Sequence, residues 1–223
     1  MTLEEFKNIL KNGAEKEKHE AISNANSELL NSEIFFLLIE LLKSPESHIR
    51  FFALYHLIDK FSESLTNIDD SLIGEIYNLL FDQFTPVVDK TFWALSIIGD
   101  RALDMLLDEY YKGDNETKIK ITYAIGRGNF SHRSKDRIHV LLDGLKSKNI
   151  DIKFSSMCEI MSNTPIANEH KSEWNSVQDK TVDLEMIYDQ VLLVAREFIE
   201  LNYDRYQNSS SYYIKLIENK KSL

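Results

Sequence analysis

An all-α chain, made of helix pairs stacked side by side as an α-solenoid, is what three observations on these 223 residues predict. Glycine and proline number 7 and 3, far under the usual ~7% and ~5% of residues. A β-sandwich or a Gly-rich nucleotide fold needs more of both for its turns. Almost every segment places apolar residues at helical spacing rather than in alternation. Helix pairs then recur at separations of 41, 30 and 33 residues, the mark of a repeat architecture. With 43% hydrophobic and 11% aromatic residues, the chain has the material for a core, which excludes wholesale disorder.

The elements follow in order. Thr2-Leu3-Glu4-Glu5 has the capping-box pattern and opens a helix with Phe6, Ile9 and Leu10 on one face. Gly13 ends it, and a second helix, poor in apolar residues, is predicted over 14–30. A helix over 34–43 comes next. Ser44-Pro45 reads as N-cap and first residue of the following helix, which is apolar nearly all round over 46–61 and so belongs inside. The same two-helix pattern repeats over 70–83 and 87–98, with Thr85-Pro86 as the second start. Gly99-Asp100 is a tight corner with Asp100 as N-cap. Further pairs are predicted over 101–111 and 116–126, and over 135–146 and 150–161. A polar stretch, 163–180, breaks the rhythm with one aromatic residue, Trp174. A long helix over 182–201 and a short one over 212–219 close the chain.

Aligning the apolar helices puts Ala53-Leu54, Ala94-Leu95, Ala124-Ile125 and Met157-Cys158 at equivalent places. Each is preceded by a basic residue: Arg50, Lys90, Lys120 and Lys153. With Trp93-Ala94-Leu95-Ser96-Ile97-Ile98-Gly99-Asp100 followed by Ala102-Leu103-Asp104-Met105-Leu106, the region from about Ile34 to Met161 resembles HEAT-like repeats. It lacks the outer-helix proline of that pattern, and no regular Asp–Arg ladder is visible between repeats. The resemblance implies a single HEAT-like α-solenoid domain over 1–223 of about five to six antiparallel helix pairs. It comprises N-terminal capping helices (1–31), HEAT-like repeats (32–162), a polar loop (163–180) and C-terminal capping helices (181–223). One pair exposes more apolar surface than water tolerates, at roughly 25 cal/mol per Å², and stacking three or more buries a continuous core.

The sequence offers little chemistry. Gly126-Arg127-Gly128 lacks the third glycine and the preceding strand of a phosphate-binding loop, and reads as a helix end. His19-Glu20 has Ser23 where a zinc helix needs its second histidine. His132 and His139 share a face but find no third ligand nearby, so no metal and no cofactor is expected. Cys158, the only cysteine, has no internal disulfide partner and sits among Phe154, Met157 and Ile160 as a structural thiol. The N-terminal segment has acids where a signal peptide has bases. The longest apolar run, 34–42, is half a membrane span and holds Glu40. A cytoplasmic protein without membrane contact is the expectation.

Charge carries the functional signal. The net charge is −10, and residues 1–110 hold 9 Lys and Arg against 20 Asp and Glu, whereas 111–223 are near balance. Asp59, Asp69 and Asp70 cluster, and Asp100, Asp104 and Asp108 form an i, i+4, i+8 row on one helix face. Such a surface steers a basic protein toward it, with Tyr55, Tyr111 and Trp174 as aromatic anchors. The expected function is non-catalytic: sequestering a basic partner, in particular as a bacterial immunity protein neutralising a toxin such as a nuclease. The HEAT-like resemblance also implies an alternative, a DNA glycosylase or other nucleic-acid-binding repair protein, with Trp93 beside Asp89 or Asp100 in its site. That needs a groove of clustered Lys and Arg, for which Arg127–Arg137 is the one candidate run. A general scaffold or regulatory subunit is the third possibility.

Overall fold

The computed structural model describes residues 1–167, 182–201 and 204–221, and the regular elements among the described residues are all helical. The chain divides into two compact units, 1–103 and 104–223.

The first unit contains α1 (Leu3–Asn12), α2 (Glu15–Ser23), α3 (Phe35–Leu41), α4 (Ser47–Lys60), the single turn α5 (Ser62–Leu65), α6 (Asp70–Asn78), α7 (Thr85–Ile98) and the first residues of α8 (Asp100–Lys112). Helices α2, α4 and α7 pack one against the next as an inner layer, and α1, α3 and α6 each lie on their own inner partner. The aligned apolar positions are the core: Ala53, Leu54, Leu57, Ala94 and Leu95 are fully buried. The capping box forms as read, with Thr2 Oγ1 accepting from the Glu5 amide at 3.2 Å and Glu5 Oε2 from the Thr2 amide at 2.7 Å. Gly99, at φ +82°, makes the corner between α7 and α8 in a region that suits glycine.

Several boundaries differ from expectation, among them three in this unit. Helix α2 stops at Ser23, because Ser23 Oγ and Asn24 Nδ2 both bond the Glu20 carbonyl and compete with the helix ladder. Pro45 does not start α4. The Arg50 guanidinium takes the Ser44 and Pro45 carbonyls at 2.6 and 3.0 Å, Ser44 Oγ accepts from the Glu46 amide, and the helix begins two residues later at Ser47. Asp100 is the first residue of α8 rather than a cap outside it.

The second unit holds the rest of α8 with α9 (Asn115–Arg127), α10 (Ser134–Leu145), α11 (Ile150–Ser162), α12 (Leu184–Glu200) and α13 (Asp204–Lys221). Helices α9 and α11 pack directly, α10 lies on both, and α12 with α13 closes the unit. The close approaches fall at glycines. A Cβ on Gly126 would lie 2.4 Å from Glu159 Oε2, and one on Gly144 would lie 2.0 Å from Ser156 Oγ. Helix α13 begins eight residues earlier than its sequence suggests. It runs through Asn208-Ser209-Ser210-Ser211 because Tyr206, Ser210 and Ile217 are buried, and docking overrides weak propensity. Phe154, Phe198 and Tyr206 pack with ring centroids 4.7–5.5 Å apart.

A ladder does link the pairs, written in mixed chemistry. Lys43 bonds Glu75 and Arg50 bonds Asp82 in the first unit. In the second, Tyr111 bonds Asp143, Ser155 bonds Tyr123, and Arg127 bonds Glu159. Every one of these joins residues 32 apart, so positions one repeat distant face each other. Because the partners alternate between Lys–Glu, Arg–Asp and Tyr–Asp, a search for an Asp–Arg ladder misses it.

Candidate protein-binding surface

In the first unit the inner helices turn a stripe outward. On α4 the residues Phe51, Tyr55 and Asp59 stand at i, i+4 and i+8, and on the neighbouring α7 Asp89 and Trp93 stand at i and i+4. Tyr55 is 40% exposed and Trp93 49%. The Lys90 ammonium lies 5.3 Å from the Tyr55 ring centroid, and Phe51 stacks on Tyr55 at 6.4 Å. These rings stand on rigid helices, which lowers the entropy lost when a partner covers them. Also on α4, Arg50 clamps Asp82 through Nε at 2.6 Å and Nη2 at 2.9 Å. Burial works against the Asp82 carboxylate, but Arg50 and the Phe84 amide outweigh it and hold the carboxyl below its usual range.

A second feature lies on the other layer of the same unit. Ser32, Phe35, Phe36, Ser64, Asn67, Ile68, Asp69 and Leu72 line a hollow of about 540 Å³. Phe35 and Ile68 are buried walls, whereas Phe36 is 66% exposed at its edge.

The acidic residues divide among these places. Asp59 ends the α4 stripe and pairs with Lys60 at 2.9 Å. Asp69 rims the hollow and is the N-cap of α6, accepting from the Leu72 amide at 2.9 Å. Asp70, next to it, is paired with Arg101, which also donates to the Ile68 carbonyl. Asp100 belongs to the first unit, and Asp104 and Asp108 to the second. Asp104 accepts from Arg133 at 2.7 Å and Asp108 from Lys112. The row read from sequence as free negative charge is thus partly neutralised. Tyr111, 55% exposed, donates its hydroxyl to Asp143 at 3.0 Å, and burial together with that bond raises its pKa. Trp174 lies outside the described residues, as do residues 168–180 of the polar loop. The loop's first residues, Asn163 and Thr164, are buried.

The run from Arg127 to Arg137 does not make a basic groove. Arg127 pairs with Glu159, and Arg133 with Asp104 and Asp136. Arg137 is buried, donating to the Ile125 and Gly126 carbonyls and to Asn163 Oδ1, and so closes the C-terminus of α9. Burial lowers its pKa to about 10, leaving it charged at neutral pH. Cys158 is half-buried on α11, and burial pushes its thiol up to about 11 despite the hydrogen bond to the Tyr213 hydroxyl. Among the described residues no group of three or more His, Cys, Asp and Glu could hold a metal ion. No described helix is long and apolar enough to cross a membrane.

Sequence reasoning missed Phe36 and its hollow. Neighbours on a helix point about 100° apart, but the unbroken apolar run over 34–39 gives no local sign of which ring stays in water: Phe35 is buried and Phe36 is not.

Stacked helix pairs with a repeat register define the class: an all-α, HEAT-like α-solenoid. No family model matches the chain, and neither does any curated protein. Among solved structures it is similar to an archaeal HEAT-like repeats protein from Thermococcus onnurineus NA1, at 12% identity over 98% of each chain and a TM-score of 0.41. A designed armadillo repeat protein is 11% identical over 97% of this chain and 100% of its own, with a TM-score of 0.40. Cex1p is 15% identical over 93% of this chain and 45% of its own, with a TM-score of 0.49.

Proposed function

We propose that this protein is a non-catalytic binding module that sequesters a basic partner protein in the cytoplasm, and specifically an immunity-type inhibitor covering the cationic surface of a toxin. The observation that carries the reading is the α4–α7 stripe, where Tyr55 and Trp93 are partly exposed and Asp59 and Asp89 each stand one turn away on the same helix. Residues 1–103 hold 9 basic and 17 acidic side chains, so the surrounding field is negative. Aromatic anchors give affinity by excluding water, and the field speeds encounter with a cation-rich surface. The same field opposes the phosphate backbone that a DNA glycosylase must hold.

The test is to co-express the product of the adjacent reading frame and measure its complex with this chain by calorimetry at low and high salt. A complex with a basic protein is expected, weakened about tenfold or more by salt and by Trp93→Ala with Tyr55→Ala. A complex indifferent to both, or retention of this chain on duplex DNA, sinks the reading.

A further inference from the structure

Resting on that reading, we infer that the Phe36 hollow is the partner's specificity pocket: it receives an apolar side chain flanked in sequence by lysine or arginine. Its volume of about 540 Å³ falls within the ~300–1,000 Å³ of pockets that enclose ligands. The walls are apolar at Phe35, Ile68 and Leu72, and Phe36 leaves most of a phenyl ring in water. At roughly 25 cal/mol per Å² of apolar surface, covering that ring is the largest single gain the hollow offers.

The rim selects what accompanies the apolar group. Ser32, Ser64 and Asn67 supply neutral polar atoms, and Asp69 supplies a carboxylate. Charged residues adjoining the lining along the chain are Glu33, Glu63 and Asp70. The two bases bonded to this group are already committed, Lys7 to Glu33 and Glu4, and Arg101 to Asp70 and the Ile68 carbonyl. Asp69 on the rim and the three carboxylates adjoining the lining in sequence outnumber Lys7 and Arg101, so the field around the hollow is negative; it repels a fatty acid or an acidic peptide and attracts a cationic one. The occupant is therefore an apolar side chain with a basic neighbour, presented by another protein.

Three fluorescent peptides serve as probes, with fluorescence anisotropy as the readout: alternating Leu–Lys, all-Lys, and alternating Leu–Glu. Two variants at exposed positions alter the hollow. Phe36→Ala removes the open wall, and Ser64→Trp fills the cavity from its rim; thermal melts confirm that each folds. The Leu–Lys peptide should bind the parent about tenfold more tightly than either control, and both variants should erase that preference. Equal binding of Leu–Lys and all-Lys peptides overturns the pocket, as does tighter binding of Leu–Glu, no binding at all, or variants that behave like the parent. If Trp93→Ala with Tyr55→Ala abolishes Leu–Lys binding while both hollow variants retain it, the pocket falls and the basic-partner reading stands.

Discussion

His56 shows how one buried side chain can set the response of a domain to acid. Its Nε2 lies 2.9 Å from the Ile22 carbonyl, while Nδ1 is buried and meets no partner among the described residues. A neutral ring with its proton on Nε2 satisfies this geometry, and a second proton on Nδ1 would have nothing to receive it. Burial accordingly lowers the pKa below the usual histidine value, against the raising effect of the Ile22 bond. A depressed native value means that the unfolded chain binds more protons, so the contribution is complete above pH ~6.5 and is lost as pH falls through the native pKa. The melting temperature should fall as pH drops below about 6.5. His56→Gln, which keeps a donor at the Nε2 position and cannot titrate, should flatten that slope. Gly126 tests packing at the same scale. An alanine Cβ would press on the buried Glu159 side chain, and overpacking of this kind costs about 1–3 kcal/mol, readable as a lower denaturant midpoint for Gly126→Ala.

At the scale of elements, Asp69 carries two roles that substitution can separate. As N-cap of α6 it is worth about 1 kcal/mol, and as a rim carboxylate it contributes charge to the hollow. Asp69→Ala should lower both stability and affinity for cationic probes, whereas Asp69→Asn keeps the acceptor and should lower affinity alone; melts and peptide titrations measured side by side distinguish them. Which elements were legible follows the same logic of local against distant bonds. The Thr2–Glu5 box and the apolar stripes of α4 and α7 are written within one or two turns of sequence, and they formed as read. The start of α4 depended on Arg50 reaching back to two carbonyls, and the length of α13 depended on docking against α12. Neither is visible in a window of neighbouring residues. The N-cap of α9, Asp114, accepts from the Thr117 amide at 2.9 Å, and its residue type just ahead of the helix announces it locally.

For the molecule as a whole, the 32-residue register explains why the candidate surface was only half legible. Sequence gives charge totals, but whether a carboxylate is free depends on the residue one repeat away. Asp82 is clamped by Arg50, and Asp143 is shared with Tyr111. The acidic excess of residues 1–103 survives this pairing, whereas the Asp104–Asp108 part of the row does not stand free. The state of Cys158 also has a practical side. Burial pushes its thiol up to about 11, so little reactive thiolate is present at pH 7. A maleimide dye should therefore prefer a cysteine engineered at an open position such as Ser64, and distances or occupancy could be followed spectroscopically with the native sulfur left in place.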